Sequence, residues 1–189
     1  MASQILHDTK KSQARRALRS LAIGIAVPFT LTLAIIIIFG SGRKYNQIIS
    51  KPFWFSPLWF IHLATLGSSF FMGLAMWLVW ADGGFQGETD AMSLYIVHVS
   101  LSIVWHPLVL VMGVYWLALI SCLVNFGTLF LCYLRFRKVN PFARDLAKPC
   151  LTWTAYLCLL TMFGSIVFWN YVFLAIQLFI SSHGGPRDV

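Results

Sequence analysis

The sequence predicts an all-α protein, an integral membrane bundle of five transmembrane helices. Three observations carry that prediction. Only 11% of the 189 residues are charged and 59% are hydrophobic, against about 25% charged in a soluble globular chain. Four stretches, 20–42, 52–81, 91–134 and 149–186, contain no Lys, Arg, Asp or Glu, and each reaches the roughly 20 apolar residues that a span needs. The third stretch is too long for one crossing and too short for three, so it holds two.

The expected spans are 20–40, 57–81, 92–110, 113–134 and 148–172. They divide the chain into a basic tail (1–19), a transmembrane domain (20–172) and a C-terminal helical extension with a polar tail (173–189). The first span follows "KKSQARRALRS" (10–20). It is too long for a signal-peptide core and lacks a small-x-small cleavage site, so it reads as retained. The tail shares a basic, acid-poor composition with transit peptides, but a solvated positive tail is the favoured reading. The second span follows "KPFWFSPLWF" (51–60), which holds five aromatic rings and two prolines in ten positions. The last apolar run, 149–180, would be about 48 Å long as a helix. One crossing with an interfacial or protruding end over 173–182 is expected.

Basic residues set the expected orientation. One side holds Lys10, Lys11, Arg15, Arg16, Arg19, Arg135, Arg137, Lys138, Arg144 and Lys148; the other holds Arg43, Lys44, Lys51 and Arg187. Ten against four places the N-terminus in the cytosol and loop 41–56 across the membrane. The formal net charge of +8 therefore marks helix ends and does not signal nucleic acid. Cys122, Cys132, Cys150 and Cys158 all fall in spans without a pairing motif and read as apolar fillers.

Polar residues inside spans face the protein interior, because lipid cannot satisfy them. They form three stripes at helical spacing. His62, Thr65, Ser69 and Met76 share a face of the second span; Tyr95, His98, Ser102 and Trp105 share one of the third. Pro149, Trp153, Tyr156 and Leu160 share one of the fifth. Together they describe a pocket for a large, flat, apolar ligand. The competing reading of Thr65, Ser69 and Ser102 is helix–helix glue. Trp77, Trp80, Trp116 and Trp169 read as interface anchors. His62, His98 and His106 are either axial ligands for haem iron or hydrogen-bond bridges between helices. No catalytic residue and no metal cluster is predicted. Asp82, Glu88 and Asp90 lie in one loop and Asp145 in another, without partners placed for acid–base work. The lack of buried carboxylates argues against a proton-driven transporter.

The motifs, in order, resemble those of the translocator protein / tryptophan-rich sensory protein family. Pro28 stands at the family's spacing before the loop. "KPFWFSPLW" (51–59) resembles K-P-x-W-x-P-P-x-W, with Ser56 in place of the first paired proline. "MGLAMWLVWADGG" (72–84), "LYIVHVSLSIVWHP" (94–107) and "KPCLTWTAYLCLLT" (148–161) resemble the later family motifs, and Cys150 looks like the plant branch. The resemblance implies a five-helix bundle whose first loop caps a cavity for porphyrins, sterols and drug-like ligands. It places Trp54, Trp105 and Trp153 in the pocket, with His98 and Ser102 at the family's Gln and Asn positions. Lys51, Pro52, Pro57 and Trp59 would belong to the lid. Four positions depart from the pattern. Thr65 and Ser69 stand where animal members carry Trp and Tyr, Thr152 replaces an alanine, and Thr161 replaces an asparagine.

The expected ligand-binding set is Trp54, His62, Thr65, Ser69, Tyr95, His98, Ser102, Trp105, Thr152, Trp153 and Tyr156. The expected function is binding of tetrapyrroles, haem or protoporphyrin, with sterols or lipids as further ligands, in a transport, scavenging or stress-regulatory role. No cofactor is required, and His98 carries a secondary assignment as a haem-iron ligand. The alternatives are a light- and oxygen-dependent porphyrin-degrading activity and an adaptor that directs other membrane proteins to turnover. The expected partners are these ligands and membrane lipids, with a homodimer and other membrane proteins as further candidates. The expected location is the endoplasmic reticulum or Golgi, with the mitochondrial outer membrane as the alternative.

Overall fold

A computed structural model describes residues 2–40, 56–83 and 89–183. The described chain contains helices and no strand: α1 (Ala2–Phe39), α2 (Leu58–Ala81), α3 (Thr89–His106), α4 (Tyr115–Val139) and α5 (Pro141–His183). All five are long and apolar enough to cross a membrane. Helix is what the medium demands, since lipid offers no partner to an unpaired backbone group.

α1 begins at Ala2, so the described part of the expected basic tail continues the span as helix. Its run of Ala, Arg, Lys and Gln has high helix propensity. α3 runs directly into a π-helical turn, Pro107–Met112. Pro107 has no N–H to donate, which removes one α-helical bond where the hydrogen-bonding pattern changes. Gly113 ends that turn at φ +69°, a left-handed conformation that glycine adopts without penalty. Asn140 starts α5: its Oδ1 accepts from the backbone N–H of Phe142 at 2.7 Å and of Ala143 at 3.2 Å. Pro141 follows in the position where a missing N–H costs nothing. The Asn140 amide also donates to the Asp82 carboxylate, tying the end of α2 to the α4–α5 corner. α5 continues unbroken through the expected extension. Its 43 residues span about 64 Å at 1.5 Å per residue.

Around the bundle the order is α1, α2, α5, α4, α3, with the lightest seam between α1 and α3. Small residues set the closest approaches. A Cβ on Gly73 of α2 would lie 2.8 Å from the Gly24 carbonyl oxygen of α1. A Cβ on Gly164 of α5 would lie 2.6 Å from the Tyr115 ring of α4. The core has two parts. Ile61, Trp105, Val109, Tyr115 and Leu160 fill the end where α2 begins and α3 ends. Met72, Met76, Val79, Leu129, Cys132 and Phe136 fill the basic end.

Candidate functional site

The three polar stripes converge, but they close on one another. Thr65, Ser69, His98, Ser102, Trp105 and Trp153 line an inner cavity of only about 40 Å³. A buried water needs roughly 10–15 Å³ of such space, so the cavity has room for a few waters at most. Side-chain hydrogen bonds across helices hold it shut. His98 Nδ1 donates to Asn125 Oδ1 at 2.7 Å, joining α3 to α4, which leaves Nε2 with the lone pair. Asn125 Nδ2 donates to Ser102 Oγ at 3.1 Å, and Ser102 donates on to the His98 carbonyl at 2.8 Å.

Further side-chain bonds tie other pairs of helices together. Trp105 Nε1 donates to Thr161 Oγ1 at 2.9 Å, linking α3 to α5. Trp153 Nε1 donates to Thr65 Oγ1 at 3.3 Å, linking α5 to α2. The hydroxyls of Thr32 and Ser69 lie 2.7 Å apart between α1 and α2.

A larger space lies on the flank. Between α2 and α5 is an open groove of about 670 Å³, lined by Ser56, Phe60, Gly67, Pro149, Thr152, Trp153 and Tyr156 among others. Small residues make the room: Ala64, Gly67 and Ser68 on the α2 side present no bulk. Aromatic rings supply the wall. Trp153 stacks on Tyr156 with centroids 5.3 Å apart and planes at 26°, and meets Phe60 edge-on at 6.0 Å. Trp153 and Ser68 border both spaces, so the indole is the partition between them.

Tyr156 also holds the mouth of the groove. Its hydroxyl donates to Ser56 Oγ at 2.7 Å and accepts from the Ser56 backbone N–H at 3.2 Å. A proline at position 56, as in the resembled motif, could make neither bond. Pro57 is the exposed residue preceding α2, and Trp59 is 64% exposed. Lys51, Pro52 and Trp54 lie outside the described residues.

His62 and Tyr95 line neither space. His62 Nε2 lies 3.2 Å from the Gly40 carbonyl, and its ring runs parallel to His106 at 6.1 Å. His62 Nδ1 and both ring nitrogens of His106 are buried with no hydrogen-bond partner among the described residues. Tyr95 packs against the core at the basic end. Trp80, Trp116 and Trp169 are about half-exposed or more, as expected of anchors. Trp77 instead donates to Ser20 Oγ of α1 at 3.2 Å. No group of three or more His, Cys, Asp or Glu could hold a metal ion among the described residues.

Asn125, Phe60 and Thr161 escaped the expected binding set. Asn125 carried a usable signal, as a lone amide in an apolar span. Phe60 carried none, since one ring among many shows its role only when a neighbouring helix is placed.

The comparisons with known proteins agree with this architecture. Residues 19–178 match a family model described as the TspO/MBR family. The chain is 38% identical over 149 residues to a translocator protein homolog of Arabidopsis thaliana, covering 79% of this chain and 76% of that one. It is 30% identical over 125 residues to the translocator protein of Ovis aries, covering 64% and 73%. With the human translocator protein it shares 29% over 121 residues, covering 62% and 70%. A five-helix membrane bundle matched over most of its length in this way belongs to the TspO/MBR family.

Proposed function

We propose that the protein binds tetrapyrroles, haem or protoporphyrin, in the groove between α2 and α5, and carries or sequesters them within the membrane. The observation that supports this reading is the aromatic wall of Phe60, Trp153 and Tyr156 along a groove of about 670 Å³. That volume lies within the roughly 300–1,000 Å³ of small-molecule sites. The inner cavity of about 40 Å³ cannot admit a macrocycle without parting the bundle. A flat apolar ligand reaches the groove sideways from lipid, which suits a translocator role. The ten-to-four distribution of basic residues supports a cytosolic N-terminus, in a secretory-pathway membrane on our reading.

The test is a tryptophan-quenching titration of purified protein with haem, protoporphyrin and a sterol, repeated on Trp153→Ala and Phe60→Ala. Losing a stacked ring costs roughly 1–3 kcal/mol if base–aromatic stacking is a guide, or about 5- to 150-fold in Kd. Both variants should weaken both tetrapyrroles and leave the helical circular dichroism intact. Unchanged affinity in both would overturn the assignment of the groove.

A further inference from the structure

The four cysteines look alike in the sequence, yet two of them meet. Cys158 Sγ of α5 lies 3.1 Å from Cys122 Sγ of α4, across 36 residues of chain. Cys122 is 3% exposed and borders the inner cavity, while Cys158 is half-buried. α4 and α5 form the most extensive seam of the bundle, held close by Ala118 and Gly164. Both thiols are free. We propose that Cys122 and Cys158 form an oxidative modification site, a dithiol that a membrane-soluble organic hydroperoxide converts to an α4–α5 disulfide.

The geometry favours this chemistry over a soft metal site. A tetrahedral ion at about 2.3 Å from each thiolate holds the two sulfurs roughly 3.7 Å apart, and structural sites take four ligands. The observed separation is shorter, and no third ligand stands near among the described residues. Closing the pair to the roughly 2.05 Å of a disulfide asks the two sulfurs to approach by about 1 Å from their 3.1 Å separation.

The reaction balances in two steps. The sulfur of the more exposed Cys158 attacks the hydroperoxide, the O–O bond breaks, and one alcohol leaves while the sulfur becomes a sulfenic acid. The Cys122 sulfur then displaces the sulfenic oxygen: the S–S bond forms, the S–O bond breaks, and water carries away the oxygen with the remaining thiol proton. Two thiols lose two electrons, and one hydroperoxide becomes one alcohol and one water. Because Cys122 borders the inner cavity, the new bond would staple the wall beside Asn125 and Thr154.

The experiment treats the full chain in lipid nanodiscs with cumene hydroperoxide, alkylates it under denaturing conditions, and maps peptides without reduction. A Cys122–Cys158 linked pair is expected, reversed by dithiothreitol, with alkylatable thiols falling from four to two. In Cys122→Ser the link should vanish and a sulfenic acid on Cys158 should become trappable by dimedone. Retention of all four thiols in the wild-type chain, or a link joining Cys132 to Cys150 instead, would overturn the proposal. Neither readout involves a tetrapyrrole, so this result stands apart from the binding reading.

Discussion

Replacing Gly73 by alanine tests how closely α1 and α2 are locked. An added Cβ there would lie 2.8 Å from the Gly24 carbonyl oxygen, 3.0 Å from Pro28 Cγ and 3.2 Å from Ile25 Cα. The first and last of these are backbone, so neither can swing away, and the helices themselves must part. Overpacking of this kind costs about 1–3 kcal/mol. The same substitution also gains helix propensity, and that gain must be removed to read the clash. Gly127 of α4 supplies the control, because a Cβ there meets nothing within 4 Å. Gly127→Ala should stabilise by about 0.4–1 kcal/mol, and Gly73→Ala should fall about 1–3 kcal/mol below it. For a chain of this size each kcal/mol moves the Tm by about 2–4 °C, so the two variants should melt ~2–12 °C apart. Thermal unfolding of both in one detergent, followed by circular dichroism at 222 nm, measures the gap. Equal melting temperatures would refute the close approach of α1 and α2 at this point.

Other expectations concern the polar seams and the groove. Tyr156→Phe keeps the ring on Trp153 but removes the hydroxyl that holds Ser56. With two bonds at about 0.5–1.5 kcal/mol each, the loss should speed hydrogen exchange at the Ser56 amide and lower the Tm by ~2–12 °C. Asn125→Leu strips the partner from His98 Nδ1 and from Ser102. Membrane hydrogen bonds average about 0.6 and reach about 1.7 kcal/mol, so a loss of that order in denaturant unfolding is expected, and none would mean the amide is idle. His98→Gln should change haem and protoporphyrin affinity alike, because His98 borders the closed inner cavity and not the groove. A selective loss of haem with a shifted Soret band would show instead that His98 ligates iron.

The sequence by itself determined the class of the molecule and the number of its spans. Uninterrupted apolar runs such as 20–42 and 52–81 leave a chain in lipid one economical way to satisfy its backbone, and that way is local. Helical periodicity also showed that His98, Ser102 and Trp105 share a face, since spacing along one helix is a property of the chain alone. The motifs bounding the spans pointed to the family for the same reason. Partners across helices were another matter. Nothing in the chain says that Trp105 meets Thr161, that Asn125 accepts a hydrogen bond from His98, or that Cys122 touches Cys158 while Cys132 and Cys150 stay apart from them. Those pairings depend on the rotation and depth of whole helices, which packing at Gly73 and Gly164 decides. Tertiary structure also settled where the space is. The stripes alone described one interior pocket, but hydroxyls and rings that face each other bond and close it. The room remains where Ala64, Gly67 and Ser68 of α2 meet the aromatic face of α5 without filling it. Volume is a difference between surfaces on separate helices, and a linear sequence carries only one surface at a time.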